Sequence, residues 1–188
     1  MAVKLRSPLS DEELINVIVV QGKTGMYGIL YDRYADKVYR KCLSFEKDRD
    51  AAQDLAHDIL IKVFIQLSKF EARSRFSTWL YSITYNFCID YVRKKSKIQT
   101  SPLDEERDDF TDTEDTDFLE MQSDALAKAL LKAAPEDKMI LLMKYQDDIS
   151  IKELMGILDI SESAVKMRLA RARNRVKEIV DSMKWNEN

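Results

Sequence analysis

The stretch Ser150–Val180, SIKELMGILDISESAVKMRLARARNRVKEIV, decides the fold. Ser150 and Glu153 make a capping box, in which the serine oxygen accepts a backbone N–H three residues on and the glutamate reaches back to the N–H of the cap. The pattern predicts a short helix through Leu158, a turn at Asp159 and Ile160, and a second helix capped by Ser161. Val165, Leu169, Ala172, Val176 and Ile179 recur along that second helix at helical spacing, so this stripe is expected to pack inward. Its opposite face carries Ser163, Met167, Ala170 and Asn174 between two basic rows: Lys166, Arg173 and Lys177 on one flank, Arg168, Arg171 and Arg175 on the other. A helix in the major groove needs small or adaptable side chains near the base edges and cations toward the phosphates. A solvated basic helix capping a bundle would carry the same cations, but a helix-turn-helix with DNA as partner accounts for more of the pattern.

Composition narrows the class. With 188 residues, 45% of them hydrophobic, the chain can bury one or two small cores, and only 4 Gly and 3 Pro favour helix throughout. No apolar run approaches a membrane span and the charged N-terminus lacks a secretory apolar segment, so a cytoplasmic protein is expected. Cys42 and Cys88 are far apart in sequence, and His57 is the only imidazole; neither a zinc site nor a disulfide framework is indicated, and both cysteines are expected to be half-buried packing residues.

The net charge of −3 is unevenly distributed. Residues 104–120, DEERDDFTDTEDTDFLE, hold ten acids and one base, a net of −9, which leaves the remainder of the chain at +6. No apolar period runs from about 98 to 120, and so long a connection within a compact domain is unusual. The segment 98–120 therefore reads as a flexible acidic linker. It separates a domain over 10–97 from a helix-turn-helix domain over 121–184, and the expected fold class is all-α with two helical domains.

In the first domain Ser10 and Glu13 make another capping box, and helical patterns follow near 11–20, 26–45, 48–68 and 77–95. On 48–68 a core stripe of Ala52, Ala56, Ile59, Leu60, Val63 and Leu67 lies opposite Asp54, Asp58, Ile61 and Ile65. Either this helix is buried on both sides, or isoleucines beside carboxylates form a protein-docking face. On 77–95 the expected core stripe is Leu80, Ile83, Phe87 and Tyr91, with Trp79, Ser82, Asn86, Ile89 and Arg93 on the other face. A loop with Lys69, Phe70, Arg73, Arg75 and Phe76 precedes it, and RKKSK closes it. Cations interleaved with aromatics suit single-stranded DNA, since cations follow phosphates while rings stack on bases.

The segments DAAQDLAHDILIKVFIQLSKF and RSRFSTWLYSITYNFCIDYVRKKSK resemble the core-binding and promoter-melting domain, region 2, of bacterial sigma factors of the extracytoplasmic-function group. The segment from Pro135 to Val180 resembles that group's region 4, which reads the upstream promoter element. The resemblance implies a specificity subunit rather than an enzyme, with core RNA polymerase and promoter DNA as partners, an anti-sigma factor as a further partner, and no cofactor, metal or small-molecule substrate. It places Asp54, Asp58, Ile61 and Ile65 on the polymerase clamp. Lys69, Phe70, Arg73, Arg75, Phe76, Trp79, Asn86, Asp90 and Arg93 fall on the melted downstream element. Lys166, Met167, Ala170 and Arg171 fall on the upstream element, and the helix face read above adds Ser163, Arg168 and Arg173 to that surface. The other reading is a polymerase-independent helix-turn-helix regulator, which leaves the two-faced helices of the first domain without a role.

The chain departs from the family pattern at several positions. Ala56, His57 and Asp58 stand where Val-Gln-Glu is usual, Met155 where a small Ala is common, Asp159 where Gly is common and Met167 where Ser is frequent. An aspartate can adopt the left-handed conformation the turn needs. The run QGKTG at 21–25 lacks the first glycine of a phosphate loop and a preceding strand, and His57 has no evident catalytic partner.

Overall fold

Two capping boxes and a set of apolar stripes at helical spacing generate an architecture of helices joined by short loops, with no strand among the described residues, 8–96 and 123–185, of a computed structural model. The expected linker, 98–120, lies outside the described residues. Contacts divide the chain into two compact units, Met1–Val92 and Arg93–Asn188.

In the first unit α1 is Asp11–Val19, α2 Tyr27–Phe45, α3 Arg49–Gln66 and α4 Phe76–Ser96. The Ser10 oxygen accepts the Glu13 N–H at 3.1 Å, and Glu13 accepts the Ser10 N–H at 2.7 Å. Asp48 caps α3 by accepting the Ala51 N–H at 2.9 Å, and a carboxylate there also suits the positive end of the helix dipole. Asp11 ties α1 to α2, accepting from Arg33 at 2.6 Å and from the Tyr34 hydroxyl. The Tyr27 hydroxyl donates to the Leu60 carbonyl at 2.6 Å, joining the start of α2 to α3.

The α3 stripe expected in the core, Ala52, Ala56, Ile59, Leu60, Val63 and Leu67, is buried at every position. Helix α4 departs from expectation. Leu80 is buried, but Ile83, Phe87 and Tyr91 are only partly so; Thr84 and Cys88 follow Leu80 inward at steps of four, and Ile89, expected on the outer face, is buried. Apolar and aromatic residues occur almost all round α4, so its periodicity does not fix the phase of the buried stripe. The cysteines are also corrected: both are fully buried rather than half-buried, and their sulfurs lie 3.9 Å apart across α2 and α4.

In the second unit α5 is Ser123–Lys132, α6 Pro135–Leu141, α7 Ile151–Leu158 and α8 Glu162–Trp185, with a π-helical turn at Leu142–Gln146 after α6. Helices α5, α6 and α7 all pack on α8. Pro135 opens α6, where its missing N–H costs nothing and its fixed φ suits a helix start. Both halves of the Ser150/Glu153 capping box are formed. Asp159 ends α7 in the left-handed region, φ 53° and ψ 48°, and its N–H donates to Met155. The turn thus survives without the glycine. Val165, Leu169, Ala172 and Val176 of α8 are buried as expected, whereas Ile179, the last of that stripe, is only partly buried.

Candidate functional site

Burying one side of α3 leaves its other side to solvent. Asp54 and Asp58 are exposed, and one to two turns further on Ile61 and Ile65 are exposed with them, Ile65 at 71% of its surface. Phe64 beside them is also exposed, its ring 4.8 Å from that of Tyr27. Large apolar side chains on an otherwise packed helix, bordered by carboxylates, form a surface that a partner protein can dry and a repulsive charge can disrupt. Along the α2 side of this helix runs a groove of about 420 Å³ whose lining includes Tyr31, Asp36, Tyr39, Asp54 and His57. His57 does have a neighbour that sequence could not supply: the Tyr31 hydroxyl is 3.4 Å from its Nδ1.

The loop between α3 and α4 holds its cations outward and its rings inward. Lys69, Arg73 and Arg75 are exposed, with Arg73 ion-paired to Glu71 at 2.6 Å. Phe70, Phe76 and Trp79 pack on one another, with centroid separations of 5.7 Å, 5.4 Å and 5.9 Å for the three pairs. Phe76 is buried, which corrects its place among the DNA-facing residues: it anchors the loop and is closed to base stacking. Phe70 and Trp79 keep partly exposed edges. Ala72 at the tip takes a left-handed φ of 54°, a conformation that disfavours a Cβ and fixes a sharp reversal. Beyond the loop, Asn86 and Asp90 are exposed one turn apart on α4, and Arg93 stands partly buried in its last turn, next to Lys94 and Lys95.

Helix α8 divides its cations between surface and interior. Toward its N-terminus Ser163, Lys166 and Met167 are exposed and Arg168 partly so, with Lys166 ion-paired to Glu162 one turn earlier at 2.7 Å. The hydrogen bond from Lys166 holds the Glu162 carboxyl below its usual range. Ala170, expected on the outward stripe, and Arg173, expected on its flank, are each only 7% exposed. Arg173 donates through Nη1 to the Tyr145 hydroxyl at 3.0 Å. Arg175 makes a two-pronged contact with the buried Asp137 at 2.7 Å and 2.6 Å, and that bonding raises the guanidinium above its ordinary value. Arg171 is partly buried between the two sets. The outward stripe of α8 is therefore open only in the N-terminal half of the helix, while Arg173 and Arg175 bond to residues of other elements. Their partners lie 28 and 38 positions away, beyond the reach of any local pattern.

Among the described residues there is no cluster of three or more His, Cys, Asp or Glu poised to hold a metal ion, and no helix long and apolar enough to cross a membrane. What the molecule offers is two kinds of surface: an apolar-acidic helix face and two elements with exposed cations.

Comparison with known proteins gives the class to which this fold belongs. Residues 30–98 match the family model for sigma-70 region 2, and residues 123–176 match that for sigma-70 region 4. The chain belongs to the sigma-70 family of RNA polymerase sigma factors, in its extracytoplasmic-function group. It is similar to the sigma factor SigW of Bacillus subtilis, with 27% identity over 181 residues, covering 85% of this chain and 91% of the relative. SigM of the same organism is 28% identical over 151 residues, covering 80% and 92%. Among solved structures, CnrH in complex with the cytosolic domain of CnrY shares the fold with a TM-score of 0.61 at 20% identity, covering 90% of this chain and 96% of that one. The sigma factor RpoE of Bartonella quintana, solved with the anti-sigma factor NepR, gives 0.54 at 19% identity, covering 88% and 98%.

Proposed function

We propose that this sigma factor docks on core RNA polymerase through the outer face of α3, with Ile61 and Ile65 as apolar anchors and Asp54 and Asp58 as orienting charges. The observation that carries this reading is the exposure of both isoleucines on a helix whose opposite stripe is wholly buried. The exposed cations of the α3–α4 loop, with Asn86 and Asp90, then hold the displaced strand of the downstream element, while Ser163, Lys166, Met167 and Arg168 of α8 face the upstream element. Phosphate contacts set register, and base-edge contacts set sequence.

The test is promoter-specific initiation by purified core polymerase supplemented with this chain, alongside the double variant Asp58→Arg, Ile61→Glu. Loss of a central apolar anchor at an interface costs about 2 kcal/mol or more, and a reversed charge adds repulsion. The folded variant is expected to lose core binding in pull-down; undiminished recovery of polymerase would remove α3 from the interface.

An anti-sigma factor fits the same surfaces. Solved relatives of this fold are held by CnrY and NepR, and a free chain that displays both an apolar docking helix and a basic recognition helix is open to untimely binding. The inhibitor covers the Asp54/Asp58/Ile61/Ile65 face, the Lys166–Arg168 face, or both, and competes with polymerase. Capture of the native factor from unstimulated cells, recovered only as free protein, would assign control to synthesis instead.

A further inference from the structure

Cys42 on α2 and Cys88 on α4 are 46 positions apart in sequence, fully buried, and brought to an Sγ–Sγ separation of 3.9 Å. Neither takes part in the docking or DNA-reading surfaces. Two thiols in van der Waals contact on separate helices carry a chemistry that an alanine pair filling the same space would lack. A disulfide requires closure from 3.9 Å to about 2.05 Å, a distance within reach of side-chain rotation combined with a small approach of the helices.

We propose that Cys42 and Cys88 are a latent disulfide, closed by a peroxide and reopened by a thiol reductant, whose closure ties α2 to α4 and impairs promoter opening. In the first step the thiolate of one cysteine attacks an oxygen of hydrogen peroxide. An S–O bond forms, the O–O bond breaks, and the departing hydroxide takes up the proton lost by the thiol and leaves as water. In the second, the other thiol attacks the sulfenic sulfur, the S–S bond forms as the S–O bond breaks, and a second water leaves with the remaining protons. Two thiols are oxidised by two electrons in total, and one peroxide is reduced to two waters.

Burial sets the order of rates. The oxidant reaches the pair only through local opening of the helices, so the first step is slow. The second is fast because the partner sulfur is already in contact, and the sulfenic acid does not accumulate. The consequence for function follows from the position of Cys88, which lies on α4 between Asn86 and Asp90. Drawing its sulfur toward α2 turns or pulls the segment that presents those side chains. The cross-link itself stands on geometry alone; its effect on promoter opening rests on the function proposed above.

The experiment begins with the full chain exposed to hydrogen peroxide under native conditions, cleared of oxidant, denatured, treated with a maleimide and weighed. The expected result is loss of both reactive thiols together, a mass lower by two hydrogens, and return of both thiols after incubation with a thiol reductant. Two thiols still open to the maleimide, or oxygen adducts on single cysteines without cross-link, would overturn the assignment. The cross-linked chain, combined with untreated core polymerase, is expected to lose initiation on a duplex promoter and regain it on reduction. Cys42→Ala and Cys88→Ala, either of which prevents closure, should keep initiation through the same treatment. Equal initiation by cross-linked and reduced protein would overturn the switch. Failure of the reduced chain to initiate would count against the promoter reading, and the mass measurement would still decide the cross-link.

Discussion

Arg175 and Lys166 sit on one helix, carry one charge and do different work. Arg175 is the partner of Asp137, whose side chain is only 10% exposed, and removing it strands a carboxylate where water reaches poorly. Arg175→Ala is expected to destabilise the protein by about 1–2 kcal/mol in chemical denaturation, a figure kept low because more than half of the arginine itself is in solvent. Lys166, paired with Glu162 at the surface, should change stability by less than about 0.5 kcal/mol as alanine and instead shift the upstream sequence recovered by binding-site selection. An unchanged selection would move sequence reading elsewhere. Tyr34 makes a second case in which one side chain decides a measurable quantity. Burial first, then the bond to Asp11, push its hydroxyl far above the ordinary tyrosine value, and burial does the same to Tyr27. A folded-state value raised above the unfolded one contributes stability that is present below the unfolded value of 10.0 and declines as pH rises beyond it. Alkaline titration monitored by circular dichroism should therefore show stability falling above about pH 10. Tyr34→Phe should begin less stable by about 1 kcal/mol, from the lost hydrogen bond, and decline less steeply.

At the scale of elements, helix positions follow from caps and periods, whereas helix faces follow only where the pattern is one-sided. Ser10/Glu13 and Ser150/Glu153 mark the starts of α1 and α7, and both boxes form as read from the chain. The α3 stripe was legible because Asp54 and Asp58 mark the side that carries Ile61 and Ile65 as the outer one. The phase of α4 was not, since aromatic and threonine side chains surround it and only tertiary packing selects Thr84, Cys88 and Ile89 for the interior. The same limit hid Phe76: an aromatic in a basic loop reads equally as a stacking platform or as an anchor, and its contacts with Phe70 and Trp79 settle the matter. Burial of Arg173 breaks the usual rule that cations stay outside, and one residue that bonds it, Tyr145, belongs to another element. A test of α4 as a melting element pairs the exposed Asn86 with Arg93, which is only partly exposed. Asn86→Ala combined with Arg93→Ala should reduce initiation on duplex promoters more than on a premelted bubble, because a side chain that holds the open strand matters less when strand separation is supplied. Equal loss on both templates would restrict these residues to docking or folding.

For the whole molecule the governing quantity is how charge is distributed along the chain. A total of −3 suggests a protein indifferent to DNA, yet residues 104–120 alone carry −9 and the rest +6. Cations that neutralise phosphates release counterions, and that release gives nonspecific DNA affinity a steep dependence on salt. An acidic segment between two domains of small positive net charge is expected to act as a competing polyanion at high effective concentration and to weaken their hold on random duplex. Replacing the ten acids of 104–120 by their amides changes charge while keeping side-chain size. The full-length variant should bind random duplex DNA more tightly than the parent, with a steeper slope of log affinity against log salt, as measured by fluorescence anisotropy. Specific recognition should be affected less, since the base-edge contacts proposed for α8 are short-ranged, so the ratio of promoter to random binding should fall. Random-duplex affinity and salt slope that match the parent would mean that the acidic segment does not compete with DNA, and would place the discrimination in the recognition surfaces alone.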